Sequence, residues 1–296
     1  MHILLRGDLS QRLRIASGLI LFTFAATHFL NTAVGLVHLE TMHQVQAWRQ
    51  LVTRSLPGTF VLVLALVTHI TLALYKLANR STLRLPPWEL FQIGLGLLIP
   101  FLLFPHIVNT RIAHTFFGVE DNYLYELARL WPENAILQST LLLLVWVHGC
   151  IGLHFWLRLY TPYRAAVPVL VLIAIAVPLA ALGGFMVSGR AVALWIENPQ
   201  MLATVKELTN WPNATDAAIL AWYRTLVRLG FAGLLLGIAL IMGWHYYVLS
   251  TRPKMAIKYT GGPTVRVPHG PTLLEISRMH NIPHASVCGG RARCST

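Results

Sequence analysis

The sequence predicts an all-α membrane protein: a six-helix transmembrane bundle followed by the beginning of a small α+β domain. Three observations carry this. The chain of 296 residues is 55% hydrophobic and only 11% charged, whereas soluble domains average about 25% charged residues. Its mean hydropathy of +0.59 therefore points to lipid as the solvent for most of its length. Six apolar stretches each reach the ~20 residues needed to cross hydrocarbon. After Thr251 the composition turns polar, and Gly261-Gly262-Pro263 and Pro268-His269-Gly270-Pro271 mark turns. The division expected is a membrane anchor over residues 1–250 and a second unit over 251–296.

The spans follow in order. Span one covers Arg12 to Val37, span two Pro57 to Leu77 and span three Trp88 to Ile112. Span four covers Ala135 to Leu159, span five Ala165 to Ser188 and span six Leu226 to Leu249. Pro57, Pro86-Pro87-Trp88, Trp131-Pro132 and Tyr160-Thr161-Pro162-Tyr163 supply the Pro, Trp and Tyr residues typical of span ends. The first apolar run, Ile15 to Val37, is long enough to span and lacks a small-residue cleavage site, so it reads as a helix and not as a signal peptide. Segments 38–56, 118–134 and 189–216 carry mixed patterns that suggest short amphipathic helices on one membrane surface. Lys and Arg favour the other surface, so both termini are expected in the cytoplasm of a bacterial inner membrane. Beyond the spans, strands are expected over Ala256–Tyr259 and Thr264–Val267, then a helix from Leu273 to His280 capped by Thr272.

The formal net charge is +12. It gathers at span ends with no basic stripe of interleaved aromatics, so nucleic acid is not the partner; membrane lipid is. Cysteine is sparse: Cys150, Cys288 and Cys294. Cys150 reads as a small buried hydrophobe.

Histidine is the unusual residue. Four successive spans carry His28, His69, His106 and His148 at membrane depth, where an ionisable side chain is costly. One such histidine is as simply explained by a hydrogen bond to a neighbouring helix. Four are better explained together, as axial ligands of two haem b groups clamped between facing helices. With the N-terminus inside, His28 lies ~20 Å above Arg14 and His106 ~25 Å above Glu89, while His69 and His148 lie ~15 Å above Asn79 and Arg158. His28 and His106 thus form an outer pair, and His69 and His148 an inner pair. Gly18, Gly35, Gly94, Gly96, Gly149 and Gly152 would admit a flat macrocycle or simply allow close helix packing. His154 is an alternative to His148 for the inner iron. His114 and His245 read as interfacial, and Pro100 and Pro105 should bend span three. Arg14, Ser17 and Arg111 are candidates for haem propionates or a quinone carbonyl, or for snorkelling. No catalytic residue is apparent.

Arg14-Ile-Ala-Ser17-Gly18 followed by His28 resembles the first span of the cytochrome b subunits of succinate dehydrogenase and fumarate reductase. His148-Gly-Cys-Ile-Gly-Leu-His154 resembles their histidine–glycine–histidine span, with spacings that differ by a residue. The resemblance implies that the first histidine of that motif is the ligand, and it implies quinone contact. Cys288-Gly-Gly-Arg-Ala-Arg-Cys294-Ser-Thr is similar to the cluster loop of adrenodoxin-type ferredoxins. Cys288 and Cys294 would then be two of the four thiolates of a [2Fe–2S] cluster, with the sequence stopping one residue before the expected third; the cluster belongs to a longer protein. Six spans joined to such a ferredoxin resemble the N-terminal region of certain bacterial class III adenylate cyclases. That implies a homodimer and a redox-sensing anchor that regulates a cyclase domain outside this sequence. The alternative is the cytochrome b subunit of a membrane quinone oxidoreductase.

Overall fold

The computed structural model describes residues 7–284. Six of its helices are long and apolar enough to cross a membrane, which makes the chain a multi-pass membrane protein. Helix α1 (Leu9–Ala33) is capped by Asp8, whose carboxylate accepts the Gln11 amide, and it ends in a 3-10 turn. Helix α2 (Leu39–Thr53) lies outside the spans and is capped by the His38 imidazole. Helices α3 (Leu56–Ala78) and α4 (Pro87–Ile107) are the second and third spans. Helix α4 passes through a π-helical segment, Val108–Ile112, into the short α5 (Ala113–Phe117). Then come α6 (Tyr123–Leu130), α7 (Ala135–Leu157), α8 (Thr161–Ile196), α9 (Pro199–Leu208) and α10 (Ala214–Thr251). Strands β1 (Lys254–Lys258) and β2 (Thr264–Pro268) pair antiparallel, with Ala256 opposite Arg266, and α11 (Leu273–Met279) follows.

Helix α1 packs along α3, α7 and α8, and α4 along α7 and α10, while α10 also touches α3. Helices α1, α3, α4 and α7 thus surround a common interior, with α8 covering the α1–α7 side and α10 the α3–α4 side. The end that holds the 79–86 and 158–160 loops and the C-terminal hairpin is called proximal here, and the end that holds α2, α5, α6 and α9 distal.

Proline explains two of the interhelical hydrogen bonds. A proline inside a helix has no N–H for the carbonyl four residues back. Pro178 frees the Ala174 carbonyl, which accepts the Trp146 indole N–H at 2.7 Å. Pro105 frees the Phe101 carbonyl, which accepts from Arg228 Nε at 3.4 Å. The two prolines of span three thus leave a helix that continues, pinned from α10, and then widens into its π turn. Close approach and one hydrogen bond join α8 to α1 and its 3-10 turn: a Cβ on Gly184 would run into the Thr32 carbonyl, and Ser188 Oγ donates to the Gly35 carbonyl at 3.0 Å. Small residues serve this purpose where hydrocarbon removes the hydrophobic drive for helices to associate.

Two spans exceed their apolar cores. The sequence places span five at 165–188 and span six at 226–249, yet α8 has 36 residues and α10 has 38. At 1.5 Å per residue such helices are roughly 54–57 Å long, well past the ~30 Å of hydrocarbon. Once nucleated, a helix needs no apolar face to extend, and Asn213 starts α10 by accepting the Asp216 amide. Segment 189–196 is therefore the end of a span and not a surface helix. The other amphipathic segments do form helices, but they cap the bundle: Met42, Tyr125 and Leu127 are fully buried.

Gln46 closes this cap, donating to the Asp121 carbonyl and accepting from the Tyr123 amide, both at 3.2 Å. Beside it, Arg54 Nη2 donates to both carboxylate oxygens of Asp121. Asp121 is only 5% exposed and Arg54 23%, so removing one partner strands a buried charge. Arg54→Ala is expected to cost about 3–5 kcal/mol of stability, read as a lower unfolding midpoint in detergent; an unchanged midpoint would contradict the buried-pair account.

Candidate functional site

The bundle interior is a cavity of about 660 Å³ that runs from Gln11, Arg14 and Arg80 at the proximal end to Arg54, Asp121 and Glu126 at the distal end. Its walls between those ends are apolar, with Phe22, Leu66, Leu97, Leu103 and Val145 among them. Protein interiors are normally close-packed, and a cavity of this size falls in the range of ~300–1,000 Å³ that encloses a small molecule.

Two histidine pairs meet across it at different depths. The ring centroids of His28 and His106 are 6.4 Å apart, and those of His69 and His148 6.3 Å. With a metal–nitrogen distance of ~2.0–2.1 Å and a ring centroid about 1.2 Å behind the ligating nitrogen, two imidazoles facing across one metal ion would stand ~6.4–6.6 Å apart. Both pairs lie at or within 0.1 Å of that spacing. Among the described residues no group of three or more His, Cys, Asp or Glu side chains could hold a metal ion. The donor set is two imidazoles per site, which suits an ion whose other ligands come with a macrocycle.

The proximal pair is held by backbone. His69 Nδ1 lies 3.1 Å from the Arg14 carbonyl and His148 Nδ1 3.2 Å from the Gln92 carbonyl. A proton on Nδ1, donated to a carbonyl, leaves Nε2 as the lone-pair donor and fixes the ring's direction. Ser17 Oγ donates to the same Arg14 carbonyl at 3.1 Å and lies 3.5 Å from His69 Nδ1. Ser17 thus supports a histidine through α1. A Cβ on Gly18 would lie 2.9 Å from His69 Cε1, and one on Gly96 2.9 Å from His148 Cε1. Each ring therefore rests on a glycine of the helix beside it. Of the other glycines, Gly149 accepts Phe22, Gly152 faces Gln92, and Gly94 has open space.

The distal pair is held differently. His28 Nδ1 is buried with no hydrogen-bond partner among the described residues, and the π-helical segment begins two residues after His106. Charge collects around this end. Arg49 lies 5.5 Å from the Phe24 ring centroid, and its Nε is also buried without a partner among the described residues. Arg111 donates to Thr59 Oγ1 at 3.1 Å and lines the cavity. Glu126 points into the same space with Oε1 buried and unpartnered among the described residues. Burial pushes its carboxyl up to about 8, with Asp121 adding to the rise and Arg129 and Arg54 opposing it. Burial raises Asp121 as well, against the Arg54 contact, and depresses the Arg49 guanidinium.

The remaining candidates lie elsewhere. His154 is on an exposed face, 3.0 Å from the Tyr163 hydroxyl. His245 reaches the Ala78 carbonyl at 3.2 Å outside the cavity, and His114 Nδ1 donates to the Val119 carbonyl at 2.8 Å. Cys288 and Cys294 lie outside the described residues. Arg49 and Glu126 were absent from the sequence-derived candidates: both sit on short amphipathic helices, and the pattern that marks such a helix does not say that it folds over the bundle end. Comparison with known family models, with curated proteins and with solved structures finds no match to this chain.

The raised Glu126 carboxyl gives a pH prediction. The folded chain keeps this proton where the unfolded chain has released it, so stability falls as pH rises from the ordinary value of 4.5 toward about 8. The unfolding midpoint of Glu126→Gln should therefore gain on wild type across that window, whereas a constant difference would show Glu126 to be solvated.

Proposed function

We propose that the chain is a di-haem b cytochrome anchor, with His28 and His106 ligating a distal haem and His69 and His148 a proximal one. The observation that carries this reading is the two imidazole pairs, at 6.4 and 6.3 Å, at two depths of one apolar cavity. The cavity's chemistry is that of a flat apolar molecule with an anionic edge: apolar walls, with Arg14 at one end and Arg49 and Arg111 at the other. Arginine there would receive propionate carboxylates. Haem supplies one-electron chemistry; the chain supplies ligation, burial and local charge, which tune it.

In this reading the anchor passes or senses electrons for a cytoplasmic unit. The resemblance of segment 251–296 to an adrenodoxin-type ferredoxin, with Cys288 and Cys294 as cluster ligands, supports redox control of a class III adenylate cyclase domain in a homodimer. Contacts at the proximal end give that unit a seat. Glu89, near the start of α4, is 2.7 Å from Arg80 and 3.8 Å from Arg278 of α11, and Arg84 Nη1 donates to the Met279 carbonyl at 2.6 Å. The Lys and Arg bias supports a cytoplasmic proximal end.

The test is haem stoichiometry by pyridine haemochrome. Wild type should bind two haems per chain. His28→Ala and His106→Ala should each lose the same one, and His69→Ala and His148→Ala the other. Gly96→Val should match His148→Ala, because its side chain takes the space of the imidazole. His154→Ala should keep both. Loss of a haem from His154→Ala with none lost from His148→Ala would overturn the proximal assignment, and a haem-free wild type, made with ample porphyrin, would overturn the reading.

A further inference from the structure

We propose that Glu126 is the proton-binding group of the distal site, taking up a proton when the iron between His28 and His106 gains an electron and releasing it on oxidation. The inference rests on the two-haem reading. Its geometry is independent of that reading: a carboxyl on α6, outside the spans, lines the same cavity as the distal histidines, with Oε1 buried and unpartnered among the described residues.

The groups around it explain why it is available. Arg54, from α2, is committed to Asp121. Arg129, one turn along α6, donates to the Tyr125 hydroxyl at 2.8 Å and lies over the Tyr125 and Trp211 rings. Lys206 of α9 lies over the Trp211 ring, and Arg224 of α10 donates to Asn109 at 2.9 Å. The Tyr123 hydroxyl is bonded to Thr32 Oγ1 at 3.1 Å, and His114 stands 3.6 Å from Asp121. Arg190 of α8 is exposed, and Arg49 of α2 lines the cavity. Arg54 and Arg129, the two cations that act on Glu126, thus have other partners, while Asp121 repels a charge on it. With its carboxyl held near 8, the group changes protonation close to neutral pH.

The balance is simple. One electron from an external one-electron donor reduces ferric to ferrous iron, and one proton from water converts the Glu126 carboxylate to the acid. Oxidation returns both. In a low-dielectric interior the two charges feel each other strongly, so reduction raises proton affinity and, by linkage, protonation raises the potential.

The experiment is a mediator-poised optical redox titration of the haem-loaded chain at several pH values, repeated in His148→Ala to isolate the distal haem. The distal potential should fall by up to about 59 mV per pH unit, the one-electron value for a tenfold change, over a window around pH 8. In Glu126→Gln, with two haems retained, it should be flat. In the wild-type redox-difference infrared spectrum, reduction should add a protonated-carboxyl band that shifts in D2O, which serves if the variant fails to fold. A pH-independent distal potential with haem bound, a slope that survives in Glu126→Gln, or no such band would overturn the proposal. A chain that binds no haem would instead overturn the cofactor reading.

Discussion

An imidazole inside a membrane bundle has two nitrogens to satisfy, and the architecture of this protein follows from how that is done. Each proximal ring gives Nδ1 to a backbone carbonyl on the neighbouring helix, Arg14 for His69 and Gln92 for His148. This brings the Nδ1–Cε1 edge of each ring close against that helix, which is what Gly18 and Gly96 permit. Both rings line the cavity, with their centroids 6.3 Å apart. Spacing, tautomer and glycine placement are one constraint seen from three sides.

The distal pair meets the same constraint less completely. His28 Nδ1 has no hydrogen-bond partner among the described residues, and the helix that carries His106 changes to a π-helical pitch two residues beyond it. What surrounds this pair is charge and not backbone: Arg49, Arg111 and Glu126 line its end of the cavity. On the haem reading proposed above, the proximal end would tune its haem through ligand basicity and the distal end through nearby charge.

Much of the frame was legible in the sequence because hydrocarbon imposes a length and a composition. The six spans could be read for that reason, and the pairing of His28 with His106 and of His69 with His148 followed from a fixed rise per residue. The strand pair and the Thr272 cap were legible from turn and cap chemistry, and the structure adds Glu275 to complete a capping box; β1 begins two residues earlier than expected. The ends of α8 and α10 were not legible, since helix can continue beyond lipid without an apolar signature. Nor were Arg49 and Glu126, whose positions depend on α2 and α6 folding back over the distal end. The Arg54–Asp121 pair and the Gln46 contacts that hold this fold join residues at least 67 positions apart.

The central claim is that each pair of facing imidazoles grips one iron. Low-temperature electron paramagnetic resonance of the oxidised, purified chain tests it most directly, because two strong nitrogen ligands on opposite faces force ferric haem into the low-spin state. The account predicts two low-spin ferric signals of bis-imidazole type, with one removed by His106→Ala and the other by His69→Ala. A dominant high-spin signal in the wild type, meaning iron with an open or weakly held axial position, would contradict it.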